Sequence, residues 1–484
     1  MEEVIVNTNN QNKFEQSKFM QVFNKFVYSD CFFIALVLII SICWWQKWLF
    51  AGLSILVVLA SILFVIKRDI LPACSILLLI TSVISVRKIP SNIMDLWPLV
   101  ALLVISILAH LIMYPMKSLK LGRMTMPLLA VLVACLLGGI GSQLEHVIKA
   151  DIINALWLGG IPLVIYFLVL NYESIPENVS FAQYVAKLIF YFGCIVVLEI
   201  AIYYISNWDF VMENPLSVVH LGWGVSNTVA TVLLLSFPMG FYLYYTSKGP
   251  KSYLYILMSI THFIGIASTT SRGALIVGSV EFVILVIATI FVCKDKKRKE
   301  YLIMSAIILA AALFIIILER NAIIKIFHII FVDGMADSGR FRIYTEAIAC
   351  FLQSPMFGAG LGYVGDWKAI IDQKGLYQIH NTILQILACT GIIGAIAYLF
   401  YYAERIKMLF DKWDAFNLFV FLASFGFEGY SMLNTGTIQA FPFLAIIMVL
   451  TIAVEKNTEL TEYNYIKKLF FKKNKEGCFN GNNS

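Results

Sequence analysis

Gly273 to Lys299 read GALIVGSVEFVILVIATIFVCKDKKRK, and this stretch decides the fold. Its first part, 273–293, carries a single charged side chain, Glu281, and then gives way to Lys294, Lys296, Lys297, Arg298 and Lys299. A helix of about 20 apolar residues crosses roughly 30 Å of hydrocarbon. Clustered Lys and Arg beside such a helix are held on the cytoplasmic side. The segment therefore reads as a transmembrane helix that runs inward.

The rest of the chain repeats the pattern. Hydrophobic residues make up 60% of 484 positions, charged residues 14%, and the mean hydropathy is +0.82. Soluble domains keep about a quarter of their residues charged, so water is not the main solvent for this surface. About 14 spans are expected, near 31–45, 49–66, 70–86, 96–115, 124–141, 152–170, 188–206, 228–247, 254–270, 273–293, 301–319, 382–402, 415–432 and 441–455. The first two are separated only by Gln46 and Lys47 between aromatic ends, and as one re-entrant hairpin they would leave 12 full spans. Backbone groups in lipid must be satisfied within their own segment, which makes the fold class an all-α bundle of about 12–14 transmembrane helices. The short alternating strands of a membrane barrel are absent from the sequence.

Orientation follows from the loops. With the N-terminus inside, 25 of the 36 Lys and Arg fall on inward segments and 11 on outward ones, six of the 11 in one long loop. The inward set includes Lys117, Lys120, Arg123, Arg405, Lys407, Lys412 and the basic tail. The expected organisation is a cytoplasmic segment 1–30, a bundle 31–319, an extracytoplasmic loop 320–381, further spans 382–455, and a cytoplasmic tail 456–484. The polar opening, Asn7 to Asn12, is not a signal-peptide pattern, so the first span is expected to act as its own insertion signal. The net charge of +6 is dispersed among short loops and points to no nucleic acid. The nine cysteines lack CxxC spacing, and Cys74, Cys135, Cys194 and Cys389 sit inside apolar runs as small core residues.

Three outward-facing places carry candidate chemistry. The first is Ala267-Ser268-Thr269-Thr270-Ser271-Arg272-Gly273. Arginine at an outer membrane boundary is costly, and its planar fork suits phosphate oxygens, although it can also snorkel to headgroups. The second is Asp337-Ser338-Gly339-Arg340-Phe341-Arg342-Ile343-Tyr344, leading into Thr345-Glu346-Ala347-Ile348. Ile343, Ala347, Ile348 and Phe351 share a face at helical spacing, as in a helix lying at the interface. Arg342 is four residues before Glu346 and can pair with it. Arg340, at the unfavourable positive end of the helix dipole, invites an anionic ligand or a lipid headgroup. The third is Gln378-Ile379-His380-Asn381-Thr382. Asn381 is a good N-cap, so His380 would sit beside a positive helix end that favours neutral, proton-accepting imidazole. The plainer reading of His380 is an ordinary interfacial residue.

Gly358-Ala359-Gly360-Leu361-Gly362 permits tight turns or close approach to a ligand. Tyr363, Trp367 and Tyr377 can stack on sugar rings or belong to the interfacial aromatic belt. Glu199, Glu281 and Glu428 are ionisable positions inside spans. HExxH, Walker and Gly-x-Ser-x-Gly patterns and paired outward acids are missing, so neither metal nor cofactor is expected.

In this order, Ser271-Arg272-Gly273, Ser338-Gly339-Arg340, Gly358-Ala359-Gly360-Leu361-Gly362 and His380-Asn381 before Gly391-Ile392-Ile393-Gly394 resemble the O-antigen ligase/polymerase family of bacterial envelope enzymes. The motif-bearing part runs from about 228 to 402, and about 14 spans exceed the family's usual 12 or so. The resemblance implies a fold similar to the GT-C membrane glycosyltransferases. It also implies glycosyl transfer at the outer face of the plasma membrane from a saccharide on a polyprenyl diphosphate. Arg272 and Arg340 would hold the diphosphate, and His380 would position or deprotonate the acceptor hydroxyl. Ser271, Arg342, Tyr344, Gly360, Tyr363 and Asn381 would line the substrate site. Inversion at the anomeric carbon and independence of metal are further implications. Partners are the lipid-linked donor, the growing glycan, membrane lipids, a chain-length regulator and a flippase. A polymerase of capsule, exopolysaccharide or O-antigen is favoured over a ligase acting on lipid A–core or a protein, because the chain is rich in Asn, Lys and Ile. A flippase or other transporter has the same hydropathy, but would place polar groups near the midplane of two repeats.

Overall fold

A computed structural model describes residues 18–83, 96–116, 118–214, 219–321, 324, 340–363, 378–434, 436, 438 and 442–457. Ser338, Gly339, Trp367, Tyr377 and the tail beyond 457 lie outside these residues. The named elements are all helical: α1 Lys18–Val27, α2 Asp30–Trp45, α3 Leu49–Ile66, α4 Leu71–Leu79, α5 Trp97–Met113, α6 Thr125–Leu137, α7 Ile148–Ala155, α8 Ile161–Tyr172 and α9 Phe181–Ser206. They continue with α10 Trp208–Glu213, α11 Ser226–Thr246, α12 Lys251–Ser268, α13 Arg272–Val292, α14 Asp295–Leu318, α15 Arg340–Gln353, α16 Thr382–Asp411, α17 Ala415–Ser431 and α18 Phe443–Asn457. Each of the 14 expected spans has a helix over it.

Among the described residues seven helices are long and apolar enough to cross a membrane, or eight if α1 and α2, bent by 68° at their junction, form one span. Shorter apolar helices cover Leu71–Ser82, Trp97–Met113 and Thr125–Leu137. The chain is an all-α multi-pass membrane protein. Leu49–Ile66 is long enough on its own, and Lys47, with φ 60°, makes the sharp turn before it.

The helices form two compact units, Met1–Pro115 with Ser174–Met335 and Met116–Glu173 with Ala336–Ser484. In the first, α11 is enclosed almost completely and packs on α9, α12 and α13. Glu199 is buried there and accepts a hydrogen bond from Trp223 Nε1 at 2.7 Å, while neither carboxyl oxygen of buried Glu281 has a partner among the described residues.

In the second unit, the helix ends expected to face the cytoplasm are tied by charge. Arg123, 1% exposed, meets Glu404 at 2.5 Å and also Asp411, and its backbone N–H donates to Glu455 at 2.8 Å. Arg405 pairs with Glu428 at 3.0 Å, which gives that intramembrane carboxylate a structural partner. A guanidinium held by two carboxylates of α16, with the backbone N–H of the same residue on Glu455 of α18, fixes the register of the turn before α6 against α16 and α18 at this end, since a buried arginine must keep every partner it has.

At the opposite end α16 is broken. Gly391 has φ 63° and ψ −157°, a conformation that only glycine adopts without strain. The break would strand backbone groups on both sides, and the loop after α15 takes them up. Ala359 N–H donates to Ala388 O at 2.7 Å and Gly360 N–H to Cys389 O at 3.0 Å. Pro355 O and Met356 O accept from Ile392 and Ile393 at 2.9 and 3.2 Å. The glycine-rich run is thus backbone inserted into a helix gap, which is how irregular chain survives at membrane depth.

Candidate functional site

In the first unit, the hydroxyl-rich break between α12 and α13 is a rigid turn. Thr270 has φ 59°, an uncommon and costly conformation for a β-branched residue. Tyr204 Oη donates to Ser268 O at 2.5 Å, and Ser271 N–H donates to Thr269 Oγ1 at 3.3 Å. Ser271 is buried, with its hydroxyl donating to Asn227 Oδ1 at 2.9 Å, so it holds the turn from below. Arg272 starts α13 with its side chain exposed. The first turn of a helix already carries about half a positive charge, so a guanidinium there concentrates positive potential on one exposed spot.

The second unit gathers the other candidates. Helix α15 begins at Arg340, which is half-buried, while Arg342 is exposed. The face packed inward is Ile343, Tyr344, Ala347 and Cys350, against Ala359, Ile379 and Ala388. Ile343 and Ala347 of the expected stripe are on this face, whereas Tyr344 and Cys350 replace Ile348 and Phe351. Ile348 is 49% exposed, and Phe341 and Leu352 are more so. The helix is aimed by its contact with α16, where Ala388 and, from the inserted loop, Ala359 are the small residues in the cluster with Ala347 and Cys350. Glu346, the expected partner of Arg342, accepts a hydrogen bond from Tyr363 Oη at 2.9 Å.

His380 is the centre of this group. It has φ 57°, and Asn381 behind it caps α16 as expected, its Oδ1 accepting from Leu384 N–H at 3.0 Å. Asn381 Nδ2 also donates to Met432 O at 3.0 Å, and Tyr344 Oη donates to His380 O at 3.2 Å. The imidazole Nδ1 lies 3.0 Å from Asn434 Oδ1. An amide oxygen only accepts, so Nδ1 carries the proton and Nε2 presents the lone pair of neutral histidine. Burial lowers the His380 pKa below its ordinary 6.5, and the Arg340 charge lowers it further, while the Asn434 hydrogen bond opposes both. Arg340 and His380 are therefore within electrostatic reach of each other, inside one unit.

That coupling has a sign. If neutral His380 is the active form, activity is lost as pH falls through a pKa below 6.5. Arg340→Gln removes a charge that disfavours imidazolium, so the acid limb of the residual pH–rate profile should move to higher pH. A limb that stays put or moves down would separate Arg340 from His380.

Gly360 is buried, with φ 95°, and a Cβ there would lie 2.5 Å from Asp151 Oδ1. It lets the loop pass against α7, and Tyr363, just beyond, is half-buried. Sequence reasoning missed Asn434, Asn227 and the α6–α7 connection that braces this loop. Asn434 carried one signal, a polar Asn434-Thr435-Gly436 break between the last two spans.

A comparison with curated proteins gives no match. Residues 254–399 match the family model described as O-antigen ligase, a stretch that contains Arg272, Arg340, the glycine-rich loop and His380. That match supports membership of this multi-pass membrane protein in the O-antigen ligase/polymerase family.

Proposed function

We propose that the protein polymerises oligosaccharide repeat units carried on a polyprenyl diphosphate, building a surface polysaccharide at the outer face of a bacterial plasma membrane with both chain termini in the cytoplasm. The observation that carries the reading is His380: a half-buried imidazole whose Nδ1 is tied to Asn434, leaving Nε2 as the acceptor. A hydroxyl of the acceptor sugar gives its proton to Nε2 as its oxygen attacks the donor's anomeric carbon. The C1–O bond to phosphate breaks, and the diphosphate leaves with the electron pair. Arg272 and Arg340 are each assigned to the growing charge on that diphosphate, which is stabilisation of a developing anion. The assignment of each stands on its own local setting, since the two belong to different units.

Direct displacement inverts the anomeric centre, and NMR of the new linkage against the donor anomer checks it. Retention would exclude a single displacement. With arginines neutralising the diphosphate, a chelator is expected to leave the rate unchanged. In the remaining roles, Tyr344 and Asn381 hold the His380 backbone, Gly360 and Ser271 hold the turns, and Arg342 and Tyr363 face the substrate. A chain-length regulator and a flippase are the expected partners in the cell.

The test is to supply the purified protein with lipid-linked repeat unit from its own organism, without other acceptor. A ladder of increasing length supports the polymerase. Transfer only after lipid A–core or a protein acceptor is added would replace it with a ligase. No product under either condition would overturn glycosyl transfer and favour transport.

A further inference from the structure

The α6–α7 connection brings a second histidine to the second unit's outer end. His146 pairs with Tyr363 in an isolated antiparallel bridge, and Val147 N–H donates to Gly362 O at 3.0 Å. Directly paired residues put their side chains next to each other on the same face, so the His146 imidazole neighbours the Tyr363 ring. His146 Nδ1 lies 2.8 Å from Leu144 O. A carbonyl only accepts, so Nδ1 carries the proton, and in neutral imidazole Nε2 is an acceptor. Asp151 Oδ2 lies 3.7 Å from that Nε2. The other oxygen of Asp151 accepts from Gly362 N–H at 2.6 Å, which fixes the carboxylate in place. Asn154 Nδ2 completes the clamp by donating to Leu361 O at 2.9 Å.

At 3.7 Å the two atoms are too far apart to hydrogen-bond to each other. Both keep a share of exposed surface, 18% for the His146 side chain and 11% for Asp151, so a donor can reach them. The fitting ligand carries two adjacent O–H groups, one for each atom, and an apolar face to lie against an aromatic ring. Neighbouring hydroxyls of a sugar meet all three requirements.

We propose that His146 Nε2 and the Asp151 carboxylate, beside Tyr363, bind a pair of adjacent hydroxyls on the saccharide part of the substrate. The inference rests on the glycosyl-transfer reading and adds to it a specificity site on the α6–α7 connection. No step of the transfer passes through these residues; they hold sugar, and His380 takes the proton.

Asp151→Asn separates binding from bracing. The new amide keeps an oxygen for Gly362 N–H, and its Nδ2 donates to His146 Nε2, so the pair closes on itself and the fold is retained. With lipid-linked oligosaccharide extracted from cells lacking the gene, the expected result is a KM raised about tenfold with kcat within about threefold. The melting temperature should be unchanged or higher. His146→Gln, which keeps a polar group of similar size, should raise KM in the same way. Unchanged KM in both folded variants, or a loss of kcat alone, would overturn the site and leave a structural brace. His380→Asn distinguishes the two ideas. If it retains full activity the transfer mechanism fails as a whole, whereas an inactive His380→Asn with unchanged KM in Asp151→Asn sinks the saccharide site alone.

Discussion

His380→Asn should abolish polymer formation while leaving the protein folded and inserted. The choice of asparagine follows from the backbone. His380 sits at φ 57°, where asparagine is well tolerated and alanine costs roughly 1 kcal/mol. Loss of a general base costs about 10²- to 10⁴-fold in rate. In cells this reads as absence of long polymer, and with purified protein as a fall in kcat with little change in KM. Wild-type thermal stability in detergent would show that α16 is still capped, because Asn381 and Leu384 are untouched. Asn434→Leu should give a weaker form of the same defect. It frees Nδ1 and so lets the proton move to Nε2, where it blocks acceptance. Activity within about threefold of wild type for His380→Asn is incompatible with a base at this position.

The arrangement around His380 shows which parts of such a site a sequence carries. The N-cap was legible because Asn381 acts on Leu384, three residues away, and local chemistry of that kind is written in local spacing. The spans were legible because lipid imposes length and apolarity on every crossing. The tautomer of His380 was not, because the atom that sets it, Asn434 Oδ1, is 54 residues further along. The glycine-rich loop was visible as a run of glycines, but its purpose was hidden. That purpose is to supply the hydrogen bonds missing at Gly391, a break that one glycine within an apolar span does not announce. The buried face of α15 was misjudged for a related reason. Periodicity identified an amphipathic helix and placed Ile343 and Ala347 on its packed face, yet Cys350 faces inward and Ile348 outward because small residues fit against Ala359 and Ala388, a match between surfaces that spacing alone leaves open.

Arg340→Ala and Arg272→Ala are each expected to lower transfer by about 10²- to 10³-fold, the range found when one preorganised donor to a developing oxyanion is removed. The physical basis differs between the two. Arg340 stands at the start of α15, half-buried and close enough to His380 for its charge to act on the imidazole. Arg272 stands exposed at the start of α13, where the helix dipole already favours an anion. Lysine tests what the charge alone can do. It keeps the cation but loses the planar fork, so Arg→Lys at either position should recover part of the activity and leave about a tenfold defect. Arg342→Ala is the comparison that gives these losses meaning. Its side chain is exposed two residues after Arg340, and the nearby Glu346 is engaged by Tyr363. A generic need for positive charge on this helix would make Arg340→Ala and Arg342→Ala equivalent. A specific contact between Arg340 and the leaving diphosphate makes Arg342→Ala the milder of the two, within about tenfold of wild type. If Arg342→Ala is the more severe, the roles of the two arginines are reversed, and the anion lies further along α15 than the His380 side of the helix.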